Sequence, residues 1–262
     1  MSVFEGRSIF VVNAPGLVRA LGAAGIAQQL SRAHCAGMWI RIGRGDRVQA
    51  GLTEAICLAL KEAFDLANLS LCGWHVPFCA DDDATRDEIA SVLQWTDSFH
   101  LAGVIVDAER TPESPRFQGN EDQARAYTLG ISEGLSERGI ELAFSSHDQP
   151  NLHQDLPFAE FLAPGQPALP QVYNHNDDPR PRLALSENAY RPLLGAEFDL
   201  RYRPTANASM VGDVAFPNEA ACLRSTDRFL DHVEERGYLG HSFWCWEEVP
   251  NAFWARLEAR PS

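Results

Sequence analysis

The sequence predicts an α/β protein that folds as a single (β/α)8 barrel, or TIM barrel, over residues 1–262. Apolar, strand-like runs alternate with helical patterns along the whole chain, at a spacing of roughly 30 residues that suits this architecture. The main alternative, an open doubly wound sheet, often carries a Gly-rich phosphate-binding turn after its first strand, and no such turn follows residues 9–14. The chain is also long enough for two smaller domains. We predict one barrel because the alternation of strand-like and helical segments continues along the whole chain.

The first half of the chain contains the clearest elements. Short runs rich in Val, Ile and aromatic residues predict strands, and longer amphipathic stretches predict helices. The Asp-rich residues 81–83 suit a helix N-terminus, and Gly139 suits the position just after a helix. The predicted strands are 9–14, 37–43, 69–78, 103–109 and 140–145, and the predicted helices are 17–34, 52–66, 85–99 and 121–138.

The second half is less regular. Pro-rich stretches around 164–170 and 177–182 predict long loops on the face that carries the chemistry in barrels of this kind. The seventh strand falls somewhere within 198–214, and Gly237 ends the strongest helical pattern. The remaining predicted elements are strands at 169–174 and 241–247 and helices at 187–194, 219–236 and 252–259.

Composition and charge exclude several classes of partner. The formal net charge of −14 opposes general nucleic-acid binding, which requires a basic surface, and it opposes docking to an anionic membrane. No apolar run approaches the roughly 20 residues that span a bilayer. Residues 1–8 show no Sec signal pattern. We therefore expect a product made soluble in the cytoplasm, without membrane insertion, and export by another route stays open.

Cysteine usage points to a reducing compartment. The cysteines form no CxxC pair and lie mostly in apolar segments, so we expect buried free thiols rather than disulfides. No motif predicts a cofactor, and no pattern determines the oligomeric state. The six cysteines are Cys35, Cys57, Cys72, Cys79, Cys222 and Cys245.

An apolar run that ends in two carboxylates is the strongest functional signal. Residues 103–109 read GVIVDAE, and strand alternation puts Asp107 and Glu109 on one face, with Cα atoms roughly 6.6 Å apart. The pKa values of two acids so placed move apart, because ionisation of one opposes ionisation of the other. Glycoside hydrolysis uses one protonated and one ionised carboxyl group of this kind. We assign the outermost acid, Glu109, as general acid and Asp107 as its partner, which orients a substrate acetamido group. The alternative is a structural ion pair with Arg41 or Arg110.

Polar and aromatic residues end the other predicted strands, where barrels place their chemistry. Trp and Tyr rings stack on the apolar faces of sugars, while amide and guanidinium groups bind hydroxyl and acetamido groups. Three further tryptophans, Trp39, Trp95 and Trp254, are predicted to be packing residues. The predicted substrate-binding residues are Asn13, Arg41, His75, Gln171, Tyr173, Trp244, Trp246 and Glu247.

The strand with the two acids resembles the Asp-x-Glu of the lysozyme-type muramidases in glycoside hydrolase family 25. It is also similar to the tail of the longer acidic motif in family 18 chitinases. Residues 242–248, SFWCWEE, resemble the last strand of such barrels, where a Trp lies under the sugar. The resemblance implies a hydrolase of β-linked N-acetylated glycans, with bacterial cell-wall peptidoglycan as its polysaccharide substrate.

The chain also departs from both families. Family 25 enzymes carry an acid at the end of the first strand, where this chain has Asn13, and the upstream acids of the chitinase motif are missing from residues 102–106. The resemblance then implies one of two outcomes. Either the barrel is inactive and serves as a glycan-binding or interaction module, or Glu109 acts together with the substrate's own acetamido group. In the second case Asp107 positions that group and Tyr173 hydrogen-bonds to it.

Three other residue combinations suggest different chemistry with less support. A metal-dependent barrel hydrolase would need His and Asp ligands, but HxH and HExxH spacings are missing. A serine triad would need a GxSxG elbow, and a thiolate–imidazole pair would need closer neighbours on a strand. The residues concerned are His147, Asp148 and His153, or His175, Asp177 and Asp178, for the metal; Ser145 or Ser146 with His75 or His147 for the triad; and Cys79 with His75 for the thiolate.

Overall fold

The computed structural model describes residues 2–111, 116–212 and 215–260. The predicted barrel is confirmed: parallel strands follow one another around a closed sheet, because the first strand pairs with both the second and the last. A short strand, Arg47–Val48, adds an antiparallel extension to the end of the second. The barrel strands are β1 (Gly6–Val11), β2 (Cys35–Arg44), β3 (Ser70–Val76), β4 (Gly103–Asp107), β5 (Glu141–His147), β6 (Ala168–Val172), β7 (Thr205–Asn207) and β8 (Gly240–Trp244).

Helices surround the barrel, and local signals determine where they begin and end. A capping box between Asn120 and Gln123 starts the helix after β4, and Gly237, in the left-handed region at φ 65°, ends the helix before β8. Among the described helices, none has the length and apolar character needed to cross a membrane. The helices are α1 (Ala14–Arg32), α2 (Glu54–Ala67), α3 (Asp82–Ser98), α4 (Glu121–Ser136), α5 (Phe158–Leu162), α6 (Arg180–Leu194), α7 (Phe198–Arg201), α8 (Glu219–Arg236) and α9 (Asn251–Glu258).

Strand alternation divides the core into two layers. On β4, Val104 and Val106 face outward and pack against the helices. Inside the barrel, large aromatic rings fill the space, and Phe10 meets Trp39 edge-to-face with ring centroids 4.9 Å apart. Truncating one such buried ring costs about 3–5 kcal/mol. Since the interior is packed with side chains, the chemistry has to lie at the rim formed by the C-terminal strand ends.

The structure corrects several predicted boundaries. β8 ends at Trp244, because the chain turns there into the 3-10 segment Trp246–Glu248. α6 begins at Arg180, well before the predicted start, since Pro181 is tolerated in a first helical turn. α5 was not predicted at all, because its five residues are too few for a helical pattern to emerge. The seventh strand, β7, lies within the predicted window of 198–214 and is only three residues long.

Candidate active site

Gln171 joins the two carboxylates at the end of β4. Its amide nitrogen Nε2 donates to Asp107 Oδ1 at 2.8 Å and to Glu109 Oε1 at 2.8 Å, so these oxygens lie no farther apart than twice that distance. β4 aims the acids inward because Asp107 shares a strand face with Ile105, which lies in the barrel interior, and Glu109 follows two residues later on the same side. The predicted acids and the predicted Gln171 are thus one hydrogen-bonded group.

Asp107 is deeply buried, with only 2% of its surface exposed. This loss of hydration raises the pKa of Asp107 to about 7, and the neighbouring carboxylate of Glu109 contributes to the rise. The charge of Arg116 and hydrogen bonds with Ser145 and Gln171 act in the opposite direction. Asp107 therefore gains and loses its proton near neutral pH, whereas an ordinary aspartate is ionised there.

Glu109 lies nearer the surface and has an arginine partner. Its side chain is 15% exposed, and its Oε2 is 2.9 Å from Nη1 of Arg116. Arg41 and Arg110, the ion-pair partners suggested by the sequence, do not take this position. Arg110 donates instead to backbone carbonyl oxygens of neighbouring loops, at 2.9 and 2.6 Å. Gln171 and Arg116 therefore hold one oxygen of Glu109 each.

Aromatic rings lie beside the carboxylates. The ring of Trp244, the last residue of β8, has its centroid 6.3 Å from that of Tyr173 and 5.7 Å from those of both Trp74 and Phe10. The peptide bond between Trp244 and Cys245 is cis. Burial raises the pKa of Tyr173, and the charges of the two carboxyl groups add to this effect. The Tyr173 hydroxyl is therefore a hydrogen-bond donor at all physiological pH values.

Three more of the predicted residues lie on the β1–β2 side of the rim. The guanidinium of Arg41 lies 5.5 Å from the centre of the Trp74 ring, and its Nε donates to Gln49 Oε1 at 2.6 Å. Glu247 Oε1 accepts the backbone N–H of Asn13 at 2.6 Å, which ties the end of β1 to the loop after β8. The Asn13 side chain accepts a backbone N–H in the first turn of α1 and so acts as its N-cap.

This architecture is shared with several solved structures. The chain resembles the spore cortex-lytic enzyme SleL of Bacillus megaterium QM B1551, with a TM-score of 0.66 and 8% identity over 98% of this chain and 74% of that one. It also resembles a class V chitinase of Pseudomonas fluorescens Pf-5, with a TM-score of 0.68 and 10% identity over 97% and 99% of the two chains. A family GH18 chitinase of Cycas revoluta gives a TM-score of 0.66 and 10% identity over 97% and 98%.

The chain has the fold of these chitinases. The solved structures named here include a family GH18 chitinase, and they do not show the resemblance to family 25. No family model matches the sequence, and no curated protein sequence matches it. Because the identities are near 10%, the likeness establishes the barrel, and the chemistry has to be argued from the residues of this chain.

Two predicted substrate-binding residues lie away from the rim of the chitinase-like barrel. His75 is fully buried on the helix-facing side of β3, where its ring nitrogens contact the Tyr127 hydroxyl at 2.6 Å and the Gly45 carbonyl at 2.8 Å. Burial lowers the pKa of His75 to about 4. Trp246 packs against Trp254 on α9, with ring centroids 4.3 Å apart. The structure corrects both predictions, because strand alternation turns His75 outward from β3 and Trp246 lies beyond the end of β8.

His147, the last residue of β5, and His153, in the loop after it, do not converge with Asp148 as metal ligands. The rings of His147 and His153 stack with centroids 3.6 Å apart, and burial together with His153 lowers the pKa of His147. Asp148, the third predicted ligand, is engaged by Arg182 at 2.5 and 2.9 Å. Within the ranges that the structure describes, no three His, Cys, Asp or Glu side chains converge as metal ligands.

The candidate nucleophiles have other partners, and the Ser145 hydroxyl is hydrogen-bonded to Gln171, at 3.4 Å, and to Asp107. The Ser146 hydroxyl donates to the backbone carbonyl of Ala108 at 2.6 Å on the helix-facing side. The thiol of Cys79 lies 3.7 Å from the carboxylate of Glu88, and burial raises the pKa of Cys79. All six cysteines are buried and free, as predicted. A buried thiol with a raised pKa is inert rather than nucleophilic.

Sequence reasoning missed two residues of the site. Arg116 lies in the loop between β4 and α4, where no periodic pattern predicts the direction of a side chain. Trp74 was detectable, because Cys72, Trp74 and Val76 alternate with outward-facing residues and all three belong to the barrel interior.

Proposed function

We propose that this protein is a glycoside hydrolase that cleaves β-linked N-acetylated glycans, with peptidoglycan as its substrate. The observation that carries the proposal is the pair of Asp107 and Glu109, held by one amide group. The charges of both acids act on Tyr173, whose ring centroid lies 6.3 Å from that of Trp244. Hydrolysis of a sugar polymer uses a neighbouring pair of acids for the chemistry and an aromatic surface for stacking on the sugar rings. The shared fold supports the substrate class, since its bearers include chitinases and a spore cortex-lytic enzyme.

In the proposed reaction, the acid pair holds one proton, which passes from Asp107 to Glu109 when substrate binds. Glu109 then donates this proton to the glycosidic oxygen as the bond to the anomeric carbon breaks. The first strand offers Asn13, which caps α1, and therefore no carboxylate nucleophile. The carbonyl oxygen of the substrate's 2-acetamido group is the nucleophile instead. It attacks the anomeric carbon, which gives a cyclic oxazolinium ion. Water then adds to the anomeric carbon and returns a proton to Glu109, which restores the acid and the acetamido group.

Asp107 and Tyr173 serve the acetamido group in this scheme. Ionised Asp107 accepts the acetamido N–H, which makes the carbonyl oxygen more nucleophilic and balances the positive charge of the oxazolinium. The protonated Tyr173 hydroxyl donates to the acetamido oxygen and holds it toward the anomeric carbon. The acetamido oxygen and then water displace in turn at the anomeric carbon, and each displacement inverts its configuration. We therefore expect the product to retain the β configuration.

The test is release of reducing ends from purified peptidoglycan and from chitin oligomers by wild type and Glu109→Gln. We expect turnover to fall by about 10²-fold or more in the variant, because it lacks a proton donor. Glu121→Gln, an exposed change at the start of α4, is the matched control and should behave as wild type. Thermal unfolding of both variants checks that each is folded. Undiminished hydrolysis by Glu109→Gln would refute the assignment of the general acid.

A glycan-binding module without hydrolysis is the second candidate. Two observations favour it: Arg116 occupies one oxygen of Glu109, and the first strand supplies no carboxylate. This candidate predicts saturable binding of the same glycans with no product, both in wild type and in Glu109→Gln. Product from wild type that disappears in the variant would exclude it.

A further inference from the structure

Arg41 is a half-buried cation at the rim, and Glu247 is the carboxylate whose charge acts on it. It extends from β2 over the Trp74 ring, and its Nε is held by Gln49 at 2.6 Å. Among the residues that the structure describes, no carboxylate forms an ion pair with Arg41. A guanidinium removed from water without a partner is costly, and such a group is a natural binding site for an anion.

Arg116 brings a second positive charge to the same rim. β3 separates the two arginines, so they approach the aromatic surface from the β2 side and from the loop after β4. The pKa of Arg41 is lowered by burial first, and then by the charges of Arg44 and Arg116, while Glu247 acts in the opposite direction. The two guanidinium groups therefore repel each other across the site, and an anion between them would relieve that repulsion.

Two other arginines near the rim are already satisfied. Arg110 gives its guanidinium hydrogens to backbone carbonyl oxygens, and Arg182 pairs with the buried carboxylate of Asp148. Arg41 therefore keeps unused donor capacity that these two arginines lack. A half-buried cation with unused donors stands out in a protein of net charge −14, whose overall field repels anionic polymers.

We propose that Arg41 and Arg116 form a carboxylate-binding subsite, and that the substrate is an acidic glycan whose sugars carry a carboxylate in addition to the N-acetyl group. This inference rests on the proposed function in that the ligand is a glycan. The planar guanidinium fork matches a carboxylate, and the Trp74 ring holds Arg41 in place from below. The incoming carboxylate also competes for Arg116, which releases Oε2 of Glu109 to face the glycosidic oxygen.

The test uses three substrates that differ in charge. They are peptide-free peptidoglycan strands, which carry a free lactyl carboxylate on every second sugar, the same strands after methyl esterification, and chitin oligomers. We expect wild type to prefer the free acid over the ester by about tenfold or more in kcat/KM, and Arg41→Gln to reduce that ratio to near one. Arg116→Gln should also reduce it. Arg138→Gln removes an equal charge at the opposite end of the barrel and should keep the wild-type ratio.

The preference for the free acid over the ester is also measured as a ratio of binding affinities, by tryptophan fluorescence. This second measurement tests the subsite even if the protein does not hydrolyse the glycan. Equal affinity and equal kcat/KM for acid and ester would overturn the subsite and leave the glycosidase assignment intact. Preferential binding of the acid without any product would support the subsite and overturn the hydrolase. If both Arg41→Gln and Arg116→Gln kept the preference for the free acid, other residues would have to bind the carboxylate. That result would overturn the subsite.

Discussion

Replacing Asp107 with Asn tests the buried carboxyl group directly, through the pH dependence of stability. The pKa of Asp107 is about 7 in the folded protein, against an ordinary value of 3.8. Between these two pH values the folded chain keeps the proton that the unfolded chain has already released. Stability therefore falls as pH rises from about 4 to about 7, and then levels off.

The size of this effect follows from the shift. At 1.36 kcal/mol for each pKa unit, the rise from 3.8 to about 7 corresponds to a loss of about 4 kcal/mol across the window. The asparagine side chain that replaces Asp107 is isosteric and keeps an oxygen acceptor for Gln171, but it has no proton to lose. The variant should therefore gain about 4 kcal/mol relative to wild type between pH 4 and pH 8.

The assay is urea unfolding of wild type and Asp107→Asn at several pH values from 4 to 8, with the difference in unfolding free energy plotted against pH. Asp83→Asn, an exposed change at the start of α3, is the control and should show no such slope. Parallel profiles for wild type and Asp107→Asn would refute the argument that desolvation holds the proton on this group. So would a wild type that gains stability relative to the variant as pH rises.

Two further predictions concern the aromatic surface of the site and the packing at the opposite end of the barrel. Trp244→Ala should raise KM by about tenfold or more through loss of the stacking surface, measured on the best glycan substrate; an unchanged KM with intact folding would remove Trp244 from the binding surface. Gly103→Ala should destabilise the protein by about 1–3 kcal/mol in urea unfolding, because a Cβ there would lie 2.8 Å from Phe4 Cζ and 2.9 Å from Val3 Cγ2. Full stability in that variant would mean that the lower end of the barrel repacks freely.

Much of the fold was predictable because barrel strands and helices are specified locally. The run of residues 103–109 is long enough to show a strand, and the helix over Glu219–Arg236 carries its own N-cap and its own terminal Gly237. The elements that the sequence pattern did not locate are short. β7 has three residues and α5 has five, and neither length completes enough periods for a pattern to be visible.

The sequence by itself determined the barrel, the two acids on one strand face, and the polar and aromatic residues at the strand ends. Only the tertiary structure decided which of those residues meet. It placed Gln171 between Asp107 and Glu109, brought Arg116 to Glu109, and turned His75 and Trp246 toward the helices. The physical reason is that side-chain periodicity acts along one strand, whereas a site is made by register and packing between strands that are distant in the chain.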